Sequence, residues 1–439
     1  MHVSSKYLEL TKRKLELTRL PHELELPENR KWAYGPPKEV LEPLVDHWIC
    51  DYSWRTEESH YNTALPQFRT AITVPSSNET LRVHFVHKKC HLGELTPRPR
   101  IRNVDRVVPL LFCHDVNASS FLDVSGVIDA LTTMDRTAGE GDGGGIAFHV
   151  IAPSVPGTGF SDASEKEGFG ARETAEVFDA LMKRLGCVAI HAANPGSFFL
   201  PPSLQNTPLE WLKYQLARMT GARISGLSFD YVPADFENVS RLAAASSGKT
   251  KVVDEETAGQ PELHTNSEPT SNVDIDMGET TCTASRPQTL AFALCDSPVG
   301  LLAHTLDVLG PCLAMGRAGY LSAVWSPANL LNWTMMRWLP GPEAGFRWVQ
   351  RTRRDAGVGG CLWRMHSGVP LGISQFGAQR GVGGRPDGVV RWAQAWQNVR
   401  WLKKREGSNV IRPEWESPEE LVQDLRESFG SVWNDGNKV

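Results

Sequence analysis

The sequence predicts an α/β fold in which a mostly parallel central sheet carries helices on both faces. Three observations support this. Val107–Cys113 is a nearly continuous apolar run, as a strand covered on both sides requires. Ala147–Pro153 is a second such run, followed by helical spacing over Ala171–Leu185. From Cys187 to Ala193, six of seven residues are again apolar or small, which suits a third buried strand. Strands interrupted by a helix in this way form parallel pairs joined by a crossover.

The chain has 439 residues and a net charge of −5, which suits one large α/β domain with additions, or two domains. The acidic balance excludes a general affinity for nucleic acid. The basic groups Lys12–Lys14 and Arg351–Arg354 are read as solvated faces. Eight cysteines without a CxxC pair give neither a zinc ribbon nor a thioredoxin-type site, so reduced thiols are expected. His84 and His87 are three apart on a strand, a poor geometry for one shared ligand, so neither a metal nor a cofactor is expected. No apolar signal region follows Met1 and no apolar run is long enough to span a bilayer, so a cytoplasmic location is expected.

Each element follows in order. Leu8, Leu15 and Leu17 among charged residues make 5–20 a short amphipathic helix, and Leu41, Leu44, Val45 and Trp48 do the same for 38–49. Trp54, Tyr61 and Phe68 lie where no period is clear and are read as anchors pinning this segment to the rest. The period then falls to two over Phe68–Val74 and Leu81–His87, as in half-buried strands. Residues 136–145 are glycine-rich and acidic, hence a loop. After Ser197, prolines 201, 202 and 208 interrupt the expected helix. A helix is expected at 209–219 and a strand at 224–231, and 243–286 lacks aromatics and reads as a disordered insertion. Helices return at Leu301–Leu309 and Leu330–Trp338, strands at Cys361–Phe376 and Val399–Leu402, and a last helix at Glu419–Phe429 with Ser417 and Pro418 at its start.

Several long motifs recur in one order. They are Trp32-Ala-Tyr-Gly-Pro36, Pro66-Gln-Phe68, His84-Phe-Val-His87, Ala152-Pro-Ser-Val-Pro-Gly-Thr-Gly-Phe-Ser-Asp162, Gly168-Phe-Gly170 and Arg286-Pro-Gln-Thr-Leu-Ala-Phe-Ala-Leu294. Together they resemble the microsomal-type epoxide hydrolase family over nearly the whole chain. The resemblance implies an α/β-hydrolase fold with a helical lid and an N-terminal extension. It divides the chain into an N-terminal segment (1–105), a first core part (106–235), a lid (236–350) and a last core part (351–439). It also implies an apolar small-molecule epoxide as substrate, with roles in detoxification or fungal secondary metabolism. In that family an aspartate at a strand-to-helix elbow attacks the epoxide and forms an ester. A histidine held by a glutamate activates the water that hydrolyses it, and two lid tyrosines donate to the epoxide oxygen.

The matching positions depart from that pattern. The nucleophile falls on Asn194, which has no charge, and Pro195 beside it has no N–H to drive deamidation to aspartate. The acid falls on Gln379, one lid tyrosine on Glu279, and the other near Arg347–Gln350, where no tyrosine occurs. The turn expected as His-Gly-x-Pro reads His114-Asp-Val-Asn117, and no histidine follows His366. His114 and Pro195 are then the candidate substrate-contacting residues. Asp115, with Glu279 opposite, is a candidate acid/base pair for ring opening without an ester. The alternative is a catalytically inactive protein of the same fold that binds a ligand or partner. Trp333, Trp338, Phe346 and Trp348 mark an apolar lid, readable as pocket or as core.

Overall fold

The computed structural model describes residues 1–90, 106–114, 116, 119–134, 145–187, 191–194, 197–199, 286–313, 324–356, 367–376, 397–405, 410 and 412–436. The expectations for 209–219, 224–231 and 243–286 lie outside them.

Three helices come first: α1 (Ser5–Glu16), α2 (Lys38–Cys50) and α3 (Trp54–Ala64). Helix α2 buries Leu41, Leu44, Val45 and Trp48, one stripe at i, i+3, i+4 and i+7. Helix α3 gives no clear period because its buried face is Trp54, Glu58 and Tyr61, only two of them apolar. Ser53 caps it, its hydroxyl accepting from Thr56 N at 3.4 Å.

Strands β1 (Gln67–Thr73), β2 (Thr80–Lys88), β3 (Arg106–Phe112) and β4 (Ile146–Pro153) follow, with the short helix α4 (Ile128–Thr132) between the last two. Helix α5 (Ala171–Arg184) leads to β5 (His191–Asn194) and β6 (Ser197–Phe199). The lid side contains α6 (Pro287–Leu294), α7 (Pro298–Leu313), α8 (Pro327–Trp338) and α9 (Glu343–Ala356). Strands β7 (Ser367–Phe376) and β8 (Gln397–Arg405) and helices α10 (Pro413–Glu416) and α11 (Pro418–Gly436) complete the chain.

The eight described strands form one sheet in the order β1-β2-β4-β3-β5-β6-β7-β8. The expectation of a mostly parallel sheet is corrected: the sheet is mixed. Only β3–β4, β3–β5 and β7–β8 are parallel, while β1–β2, β2–β4, β5–β6 and β6–β7 are antiparallel. The reason is connection length. A parallel neighbour needs a crossover of about a dozen residues or more. Only two residues separate Asn194 from Ser197, so the chain can only come back antiparallel, pairing Ala193 with Phe198 and Asn194 with Ser197. Hairpin β1–β2 likewise adds an antiparallel edge through a short turn.

Alternation sorts the core. Leu110 and Phe112 on β3, with Phe148 and Val150 on β4, face one side, against Leu302, Leu306, Trp333, Leu425 and Phe429. Leu111, Cys113 and Ile151 face the other, against Ala175, Phe178, Leu181 and Met182 of α5. Helix α11 is held to β8 by buried Asp424, whose Oδ1 lies 2.6 Å from Arg405 and 3.0 Å from Lys403.

The N-terminal helices clasp the lid. Asn332 of α8 is fully buried; its Nδ2 donates to Glu57 at 2.8 Å and to the Tyr61 hydroxyl at 3.0 Å. Its Oδ1 accepts from the Tyr52 hydroxyl at 2.7 Å. Trp338 Nε1 donates to Thr11 Oγ1 at 2.7 Å, and Lys14 pairs with Asp296. The anchoring expected of Tyr61 is therefore present, with polar bonds supplying its specificity, and Trp54 is buried in the same core cluster. Phe68, expected as a third anchor, is 49 % exposed on the edge strand β1. No described helix is long and apolar enough to cross a membrane.

Candidate functional site

In a sheet of this kind, small molecules are met at the carboxyl ends of the parallel strands. Strand β3 ends at Phe112 and runs into Cys113 and His114. His114 is 2 % exposed, and its Nε2 accepts from Val155 N at 3.1 Å. The ring thus spends Nε2 on the backbone that leaves β4, tying the ends of β3 and β4 together. Cys113 beside it is fully buried, and burial pushes its thiol up to about 12, so it is no nucleophile at neutral pH.

After β4, the segment 153–162 folds over this end. Gly157 has φ +85, and a Cβ there would lie 2.5 Å from the Cβ of Ala344 on α9. Only glycine permits both that backbone and that approach of the lid. Ser161 Oγ accepts from His84 N at 2.9 Å and donates to Ser154 O at 3.0 Å. The Asp162 carboxylate accepts from Arg82 N at 3.0 Å and from Arg69 at 2.5 Å, which hold its pKa below the ordinary value against the opposing effect of burial.

Fully buried His84 sits behind the turn. Its Nε2 lies 3.0 Å from Gln67 Oε1, an acceptor, so Nε2 carries the proton and Nδ1 accepts from Ser154 Oγ at 2.8 Å. Phe121 and Phe160 meet the ring edge-on at 4.5 and 5.4 Å between centroids. Burial first, then nearby positive charge that includes Arg69, pushes its pKa down to about 3, so it is neutral across the physiological range.

A cleft lies between this turn and the lid. Val116, Ser119 and Thr158 line its lower side, and Met336, Phe346 and Val349 its upper side. Val349 belongs to the 347–350 stretch where the second lid tyrosine is expected, so an apolar side chain faces the cleft there. Arg337, 8 % exposed, borders it and lies 3.3 Å from His304 Nδ1 and 5.6 Å from the Phe346 ring centre. Burial and then that guanidinium push His304 down to about 3.

Of the lid aromatics read from the sequence, Phe346 lines the cleft and the other three do not. Trp348 Nε1 donates to Thr174 on α5 at 2.8 Å, Trp338 bonds α1, and Trp333 packs with Trp325 and Trp415, ring centres 5.3 and 5.6 Å away. Buried Arg412 lies 5.2 Å from the Trp333 ring centre, and Trp415 Nε1 donates to Asp123 Oδ1 at 2.9 Å. Residues 412–416 lie within Gly407–Glu416, the stretch before the last helix where the resemblance implies the family's Gly-His-Phe, and are thus packed into an aromatic box.

Among the sequence-derived candidates, β5 ends at Asn194, one step beyond the parallel Phe112–Ala193 pair, which brings its backbone alongside the start of the His114 turn. The strand-to-helix elbow expected there is instead the β5–β6 reversal. Asp115, Pro195, Glu279 and Gln379 lie outside the described residues. Val116, Met336, Arg337 and Val349 were missed in the sequence. Nothing in their spacing separates a cleft wall from core packing. Among the described residues, no group of three or more potential metal ligands occurs.

The fold and this cleft define the class, an α/β-hydrolase-fold protein with a helical lid. The structure of juvenile hormone epoxide hydrolase from the silkworm Bombyx mori is similar, with TM-score 0.65 and 18 % identity, covering 100 % of this chain and 93 % of that one. Residues 1–124 match the family model described as epoxide hydrolase N terminus. Epoxide hydrolase 1 of Oryctolagus cuniculus is 26 % identical over 428 residues, 92 % of this chain and 83 % of that protein. Juvenile hormone epoxide hydrolase 1 of Ctenocephalides felis is 27 % identical over 300 residues, 67 % of this chain and 56 % of its own length. The chain is thus related to epoxide hydrolases and carries the epoxide hydrolase N-terminal segment over residues 1–124.

Proposed function

We propose that this protein takes an apolar epoxide beneath its lid, where the cleft of about 20 Å³ has to widen by lid opening to admit it, and does not form the alkyl ester of the family's covalent route. The carrying observation is that the position at the end of β5 to which the resemblance assigns the family's nucleophile holds a carboxamide, Asn194. Its nitrogen lone pair is delocalised and it bears no charge, whereas a carboxylate is ionised at neutral pH. The apolar faces of Val116, Met336, Phe346 and Val349 support the substrate class. So does the relation to epoxide hydrolases. Ring opening here is direct attack by water: ionised Asp115 takes the water's proton as the new C–O bond forms and the epoxide C–O bond breaks, and protonated Glu279 is the candidate donor to the released oxygen.

The test is a single turnover of styrene oxide in ¹⁸O-labelled water, with mass spectrometry of the protein and the diol. The reading expects no adduct on residue 194, label in the first-turnover diol, and loss of turnover in Asp115→Asn. An ester trapped on residue 194, or an unlabelled first diol, overturns it. The packing of 412–416 into the aromatic box favours a second reading, a silent ligand-binding protein. That reading expects binding of styrene oxide with diol formation no faster than in buffer.

A further inference from the structure

We propose that a second cleft, on the other side of α9 from the lid cleft, binds a small oxyanion-bearing ligand, a carboxylate or phosphate on a body no larger than a benzene ring. This inference does not depend on the function proposed above. The cleft, about 130 Å³, lies between the loop 164–169 and α9. That is less than the roughly 150 Å³ of a cavity that encloses benzene, so a ring-bearing oxyanion leaves part of its ring in solvent at the open mouth of the cleft. Its walls carry three cations, Lys166, Arg347 and Arg351, against one acid, the exposed Glu167, with Phe169 and Trp348 supplying apolar surface.

The cations converge for structural reasons. Arg347 and Arg351 are four apart on α9, so they share a face. Arg351 is laid along the loop by two glycines. A Cβ on Gly170 would come 2.8 Å from Arg351 Cγ, and one on Gly168, where φ is +87, would sit 3.9 Å from the guanidinium carbon. Lys166 Nζ is tethered 2.6 Å from Ser77 O.

Both walls are fixed. Ser164 Oγ donates to Glu79 at 2.5 Å and Glu165 N to the same carboxylate at 3.2 Å, while Trp348 and Thr352 tie α9 to α5. Gly170 N is bonded to Glu173 and Ala171 N to Thr352, so these amides at the start of α5 are already taken and the side-chain cations carry the recognition. Guanidinium groups match carboxylate and phosphate in two-pronged geometry.

The test is titration of the whole protein with benzoate and, separately, inorganic phosphate, by calorimetry at low and physiological salt. Saturable binding is expected, weakening with salt. Preference for benzoate identifies a carboxylate on an apolar body, and preference for phosphate a phosphorylated ligand. Arg351→Gln is expected to weaken the preferred anion about tenfold and the exposed Arg347→Gln several-fold, with unchanged melting for the latter. Lys12→Gln, a remote cation, is expected to change nothing. Failure of both anions to bind at about 10 mM, weaker than any useful affinity, overturns the proposal. So does equal binding by the wild type and Arg347→Gln.

Discussion

Acidification from pH 7 to 5 is expected to destabilise the protein through His84. In the folded chain its pKa is pushed from 6.5 down to about 3 by burial and by neighbouring positive charge. The unfolded chain therefore takes up a proton as pH falls through about 6.5, while the folded chain stays neutral until about pH 3. Stability is fully present above the unfolded value and is lost as pH drops through that window. At pH 5 the unfolded state has titrated through about 1.5 pH units and the folded state has scarcely begun, which at 1.36 kcal/mol per unit is ~2 kcal/mol. The figure changes little if the folded value moves by a unit, because pH 5 lies well above it. His304, also pushed to about 3, adds loss of the same sign. The assay is urea unfolding at pH 7, 6 and 5 for the wild type and His84→Gln, comparing pH slopes rather than absolute stabilities. The variant should lose ~2 kcal/mol less than the wild type across this range. Proton NMR of the folded wild type provides a second measure, in which the His84 ring should show no titration above pH 5. Equal slopes in the two proteins, or an NMR midpoint near 6.5, would refute the reasoning.

Asn332→Leu should destabilise by about 2–5 kcal/mol, since it leaves the buried Tyr52 and Tyr61 hydroxyls without their amide partner. Thermal melting measures the loss, and protease cleavage within residues 1–64 should accelerate with it; a change below about 0.5 kcal/mol counts against the clasp. Gly157→Ala forces a side chain into a φ of +85 and against Ala344, at a cost of about 2 kcal/mol or more. It should weaken styrene oxide binding under the lid and, because Ala344 also borders the cleft beyond α9, anion binding there as well; unchanged binding at both, measured by calorimetry, counts against the close approach.

Much of the architecture was legible in the chain. Strands β1 to β4 and helices α1, α2, α5, α8 and α11 follow from periodicity and local turn chemistry, while the order of the motifs carries the family resemblance. Periodicity and turn chemistry are properties of neighbouring residues. Helix α3 was not legible, because Glu58 is buried between its two aromatics and is satisfied by Val3 N at 2.6 Å and Arg55 at 2.6 Å, partners a period count does not see. The sheet's mixed character was legible only in part. A two-residue gap after Asn194 forbids a parallel neighbour, yet the apolar run before it reads as a central parallel strand until Ser197–Phe199 is known to be a strand as well.

The sequence by itself determined the resemblance to the epoxide hydrolases and an amide rather than a carboxylate at residue 194, because residue identity and motif order are enough to establish both. Tertiary structure alone decided which aromatics line a cleft and which fill an aromatic box. It also fixed His84 and His114 as partners of a turn, and placed Lys166, Arg347 and Arg351 around one cleft. Those outcomes depend on contacts between residues up to hundreds of positions apart, and burial and convergence of charge exist only once such contacts form.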